Sequence, residues 1–197
     1  MRPVPFSVGG ALLAAFLLIV PAAAGATVMR FLSLPEHVEL SELVVRARVG
    51  EARAFVGEGG LPFTDTELEV LEVFKGEAPA GGKLVVRQMK GEVDGAHRAV
   101  PGDAVLVPGE EVVLFLHGVE DGVAYLTALG QSKYVVERPV GTIPGPGENG
   151  VVVVRDLTGL TFYHGGDRPS FAHGEEEAPV DLRIFRETIR ELAGAAR

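Results

Sequence analysis

In two runs, Val44 to Val49 and Thr64 to Phe74, separated by the turn-rich stretch Gly57 to Pro62, apolar and polar side chains alternate with a period of two, and that period constrains the fold more than any other feature. Val45, Ala47 and Val49 alternate with Val44, Arg46 and Arg48, the pattern of a half-buried strand. In the next run, Thr66, Leu68 and Val70 face one way while Asp65, Glu67 and Glu69 face the other. Leu71 and Val73 then carry the apolar set on the opposite parity. A one-residue phase slip of this kind predicts a β-bulge, which bends a strand round a barrel.

The remaining segments extend the β pattern. Leu84 to Met89, Val123 to Leu129 and Lys133 to Val136 are strand candidates, and Val112 to Leu116 (VVLFL) is continuously apolar, as in a strand covered on both faces. Val151 to Val154 and Leu160 to Tyr163 predict a hairpin across Asp156 to Gly159, and Gly91 to Pro108 predicts a long exposed loop. Gly174 to Ala178 is an acidic, solvated linker. Ser33 and Glu36 have capping-box spacing, predicting a short helix over about Pro35 to Ser41 with Val38 and Leu40 as its apolar contacts. Asp181 caps a final helix in which Leu182, Phe185, Ile189 and Leu192 share a face and Gly194 closes it. Seven or eight short strands with a helix near each end predict a mainly β domain closed into a small barrel, because closure leaves no exposed edges.

Residues 1–26 have the plan of a secretory signal peptide: a basic start, an apolar run from Gly9 to Val20, then Pro21 and small residues. The run is shorter than the roughly 20 residues a membrane span needs. Ala22/Ala24 and Ala24/Ala26 allow cleavage before Gly25 or before Thr27, and Thr27 is preferred. The expected organisation is a signal peptide over 1–26, a barrel over 27–138, a connector with an added β-hairpin over 139–178 and a C-terminal helix over 179–197. The mature chain is expected in the periplasm or outside the cell and not spanning a membrane. With no cysteine in the sequence, disulfides, thiol chemistry and Cys-ligated zinc are excluded. A net charge of -9 argues against nucleic acid, whose phosphates call for a basic face.

Leu43 to Val49 (LVVRARV), the long strand ending Val70-Leu71-Glu72-Val73-Phe74-Lys75-Gly76, and Glu110 to Leu116 (EEVVLFL) together resemble the netrin-like module. That module includes the inhibitory domain of tissue inhibitors of metalloproteinases, and uncharacterised secreted bacterial proteins share the layout. The resemblance covers roughly residues 41 to 136 and implies an OB-like barrel presenting loops to another macromolecule. It does not carry over the inhibitors' mechanism, which places an N-terminal cysteine on the protease zinc; here the mature start is Thr27-Val28-Met29 or Gly25-Ala26-Thr27.

Candidate chemistry is sparse. His164, Asp167 and His173, around a Gly-rich stretch, are the densest set of metal-ligand types, though ordinary loop formers too. Glu92, Asp94 and His97 offer an acid/base pair or an oxygen-rich cation site, with a polar loop as the alternative. Ser33, Ser132 and Ser170 lack a local nucleophile motif. Phe55, Phe63, Phe74, Phe115, Tyr125 and Tyr134 are expected mostly in the core, and Phe162, Tyr163 and Phe171 near loop tips. Arg46, Arg48 and Arg53 are expected to ion-pair across strands with Glu67 and Glu69. The expected function is an exported, non-enzymatic binding module recognising a protein or glycan through Gly91 to Pro108, Pro139 to Gly150 and Phe162 to His173, without a cofactor. The alternatives are a metal-dependent hydrolase using His164, Asp167 and His173, and a structural envelope protein.

Overall fold

The computed structural model describes residues 28–138, 150–164 and 170–195. In chain order the elements are β1 (Val28–Arg30), α1 (Leu34–Leu40), β2 (Leu43–Val56), β3 (Pro62–Lys75), β4 (Lys83–Gln88), β5 (Gly91–Val93), β6 (Ala96–Arg98), β7 (Glu111–Glu120), β8 (Val123–Leu126), β9 (Lys133–Glu137), β10 (Val152–Val154), β11 (Thr161–His164), β12 (Ser170–His173), β13 (Val180–Asp181) and α2 (Leu182–Ala195). The predicted signal peptide and the segment 139–149 lie outside the described residues.

Five strands close a ring in the order β2-β3-β4-β8-β7, with β7 pairing back to β2. Within this ring only the β4–β8 pair is parallel, and the chain is a mainly β protein built on an OB-like Greek-key barrel. The interior is filled by alternate residues: Leu43, Val45, Ala47 and Val49 from β2, Leu68 from β3, and Leu114 and Leu116 from β7. The predicted phase slip is a bulge. Ala47 pairs with Val70 and Arg46 with Glu72, so Leu71 is left over and Val73 returns to the inner face opposite Val45. At the strand's end Gly76 turns the chain with φ +81°, where a Cβ would lie 2.3 Å from the Glu42 carbonyl oxygen.

A second core packs on the outside of the same wall. Val44, Val113, Phe115, Tyr134 and Val153 meet Val38 of α1 and Leu182, Phe185 and Ile189 of α2. This is why Val112 to Leu116 is continuously apolar: alternate residues serve two cores. β7 is long enough to share one edge, its first half pairing with β9 and its far end with β8. Asp181 caps α2 by accepting from the Arg183 and Ile184 amides at 3.0 and 3.1 Å. The Glu36 carboxylate caps α1 by accepting from the Ser33 amide and hydroxyl at 2.9 and 2.7 Å.

Several local expectations are corrected. Val151–Val154 and Leu160–Tyr163 do not pair with each other; β10 lies between β9 and β13, and β11 pairs with β1 and with β12. The added hairpin is therefore β11–β12, which shares a small third core of Leu157, Leu160 and Phe162 with Met29 and Phe31. Gly91 to Pro108 is not simply an exposed loop: β5 and β6 form a hairpin, and Ala104 plugs the barrel at 4% exposure. Leu40 is exposed, and α2 continues through Gly194 to Ala195. No helix among the described residues is long and apolar enough to cross a membrane.

Candidate functional site

The predicted ligand-type residues belong to two hairpins. His164 pairs with Ser170 and His173 with Thr161, three rungs apart on the β11–β12 ladder, while Asp167 lies outside the described residues. Glu92 stands directly opposite His97 on an exposed hairpin, with Asp94 in its turn. Among the described residues no group of three or more His, Asp or Glu side chains is placed to hold a metal ion.

Sequence reasoning missed a buried polar centre between the barrel and the flanking elements. His37, fully buried, has Nε2 3.4 Å from Ser132 Oγ and Nδ1 3.4 Å from Arg155 Nη1. A serine beside a histidine has the outline of a nucleophile and its base, but the polarity is wrong. Arg155 has only donors, so Nδ1 accepts from it, and Nε2 then carries the proton and points it at Ser132. Ser132 Oγ also accepts from the Ala128 amide at 2.6 Å and is fully buried. Burial and the adjacent Arg155 charge hold the His37 pKa down at about 4. A neutral imidazole already protonated on the serine side is not a general base for that serine.

The centre instead ties elements together. Arg155 is 3% exposed, donates to the Leu32 carbonyl at 3.1 Å, and pairs through Nε and Nη2 with both carboxylate oxygens of Glu177. Its guanidinium also lies 5.2 Å from the centroids of both Phe31 and Tyr134. Gln131 accepts from the Leu32 amide and donates to the Arg30 carbonyl, so the chain after β1 hangs from the barrel by a satisfied buried amide. Glu177 belongs to the stretch predicted as a solvated linker; its carboxylate in fact anchors that stretch to the core.

The surface with unspent contact capacity is the outer half of the β2–β3 hairpin. A bulge at Gly50 and Glu51, between the Val49/Leu68 and Ala52/Thr66 pairs, marks where the hairpin leaves the barrel as an arm. There Phe55 pairs with Phe63, the rings 6.0 Å apart and 25° from parallel. They are half-buried on the surface rather than in the core, because among the described residues none of the three apolar clusters extends to them beyond the bulge. Gly57 admits the Phe63 ring, since a Cβ there would meet Cδ2 at 2.5 Å. Arg87 lies 4.9 Å over Phe55 and is held by both oxygens of Asp65 at 2.7 Å, while Arg98 of β6 lies 5.3 Å over Phe63. Val56, Leu61 and Met89 are 48%, 47% and 45% exposed around this stack.

At the foot of the arm is a cavity of about 120 Å³ whose lining includes Met89, Arg87, Tyr125, Leu126 and Leu129. The expected cross-strand pairs form only in part: Arg48 meets Glu69 at 3.5 Å and Arg46 reaches Glu111 and Glu72. Arg53 stands opposite Asp65 in register, yet Asp65 is engaged by Arg87. On the β11–β12 hairpin Tyr163 and Phe171 are exposed with rings 5.7 Å apart, whereas Phe162 is buried in the third core. Compared with known proteins, the chain matches no family model and no curated protein.

Proposed function

We propose that the chain is an exported, non-enzymatic binding module, working in the periplasm or outside the cell, that contacts a protein or glycan through loops and hairpins carried on its barrel. The observation that carries this reading is the contrast between a filled barrel and the arm, where Val56, Leu61 and Met89 stand exposed beside two stacked rings and their guanidinium groups. Contact residues on a rigid scaffold can change without disturbing its core, and aromatic and arginine side chains dominate interface energetics. The wrong-way polarity of Ser132 and His37 removes the one serine–histidine pair found at hydrogen-bonding distance among the described residues.

The test uses immobilised protein from Thr27 onward, exposed to the source organism's envelope and secreted fractions. The wild type is expected to retain a saturable partner that a V56S/L61S/M89S variant with an unchanged melting temperature does not. Equal retention by both proteins contradicts the assignment to the arm. Stable self-association with no retained partner favours a structural envelope role. The export reading is checked by N-terminal sequencing of the native protein, with Thr27 expected first.

A further inference from the structure

We propose that the β1–β11–β12 sheet is a flap that opens from the barrel when His37 takes up a proton, with the Arg155–Glu177 pair as its latch. The inference is independent of the binding-module reading. Among the described residues the three strands pair with one another and not with the barrel sheet. Their core is separate too: Leu157, Leu160 and Phe162 with Met29 and Phe31 form a cluster distinct from those of the barrel and the helices. The excursion that carries β11 and β12 leaves the barrel sheet at β10 and returns at β13. These two strands pair across its base, Val152 with Asp181 and Val153 with Val180, so the flap can open without breaking a barrel ladder.

The three chain segments that enter the flap meet at one guanidinium. Arg155 donates to the Leu32 carbonyl, just after β1, and pairs with Glu177, just before β13. Backbone bonds run beside this pair, from the Glu177 amide to the Arg155 carbonyl at 2.9 Å and from the Leu157 amide to the Glu175 carbonyl at 3.3 Å. The fixed side of the latch is α1, whose Val38 belongs to the core on the barrel's outer wall and whose His37 holds Nδ1 3.4 Å from Arg155 Nη1.

With the flap closed, the Arg155 charge is balanced by Glu177. A proton on His37 places a second cation against Arg155 in a fully buried site, and buried charge is costly unless paired. The charged groups acting on His37 are Arg155 and, from its own helix, Glu36, whose carboxylate already accepts from Ser33 and Arg30. From β7, β9 and α2 the centre receives Phe115, Tyr134 and Phe185, and burial raises the Tyr134 hydroxyl, which stays neutral. Burial and Arg155 together hold the His37 pKa at about 4, against an ordinary 6.5. Opening gives the imidazole water and removes the guanidinium, so the open form takes up the proton first and gains population as pH falls from 6.5 towards 4. The result is an apolar surface, including Met29, Phe31 and Phe162, uncovered by acid while the barrel stays folded.

The test is native-state amide hydrogen exchange from pH 7 to pH 5 on protein from Thr27 onward, corrected for the intrinsic pH dependence of exchange. The Leu157, Leu160, Gly174 and Glu177 amides, each bonded to a carbonyl within the excursion, are expected to open more readily than those of Val45 and Leu114 at every pH. Their protection is expected to fall roughly twentyfold across this range, the response of one histidine released from the closed site. H37Q should abolish the fall. H164Q/H173Q, which removes the imidazoles carried by β11 and β12, should keep it. E177Q should keep it as well, with protection at pH 7 lower by roughly tenfold or more. Dispersed amide spectra establish that each variant is folded; should H37Q not fold, the wild-type response and the other two variants still decide. Flap protection equal to that of the barrel, a flat response in the wild type, or a fall that survives H37Q overturns the inference. So does a fall lost in H164Q/H173Q, which places the sensor on the flap itself, or E177Q protection equal to wild type, which removes the latch.

Discussion

The two halves of β2 share one strand and one partner, β3, yet have opposite environments. From Leu43 to Val49, Val44, Val45, Ala47 and Val49 are all at 2% exposure or less, some facing the barrel interior and Val44 facing the helices. From Glu51 to Val56, five of the six residues are exposed and Phe55 is half-buried. Backbone pairing is continued through both halves, so hydrogen bonding does not distinguish them. Among the described residues, apolar clusters cover the inner half on both faces and do not reach the outer half. Stability and contact capacity are thus separated along one strand, with the bulge at Gly50 and Glu51 as the boundary.

The largest effect that sharpens this contrast is expected from F115A. Phe115 is fully buried against His37, Tyr134 and Phe185, and truncation should cost about 3–5 kcal/mol in urea denaturation. Next comes the Arg155–Glu177 pair, where the two deletions should differ. E177A strands a guanidinium that is 3% exposed, while R155M leaves a carboxylate that water reaches. Breaking a buried pair by stranding a charge costs roughly 3–5 kcal/mol, so E177A should be the more damaging in thermal melts. Equal losses would contradict the burial argument.

The third effect is on pH. The folded-state pKa of His37, about 4, lies below its ordinary 6.5, so the unfolded chain takes up the proton first. The stabilisation is complete above pH 6.5 and lost as pH falls from there through 4, amounting to about 3 kcal/mol. H37Q should flatten that window of the stability profile. The arm supplies the smaller effects. F63A removes one ring of the stack and should cost ~0.5–1.5 kcal/mol beyond its lost burial. V56S/L61S should stay within about 0.5 kcal/mol of wild type; a loss comparable to that of F115A breaks the comparison between the halves.

The barrel was legible in the sequence because a two-residue period reports directly which face a strand buries. The bulge at Leu71 followed from the phase slip, and the doubly covered β7 from its unbroken apolar run. The arm was less legible. Phe55 and Phe63 look like core positions by residue type, and only the absence of a covering layer, a tertiary fact, puts them on the surface. Their placement on either side of Gly57 to Gly60 was the available sign of a cross-strand pair. His37, Gln131 and Arg155 left no signal, since they come from segments far apart in the chain and each resembles an ordinary surface residue. The pairing of β11 with β1 was hidden for the same reason: two short apolar runs close in sequence look like a hairpin, whereas β10 pairs with β9 and β13 and β11 joins a separate sheet with β1 and β12.

Native-state amide hydrogen exchange along β2 tests the separation most directly. Amides of the inner half, through Val49, should exchange only with global unfolding. Those from Ala52 to Val56 should exchange through an opening at least ~2 kcal/mol smaller. A single free energy shared by both halves would contradict the division of the strand into a stabilising wall and a contact-bearing arm.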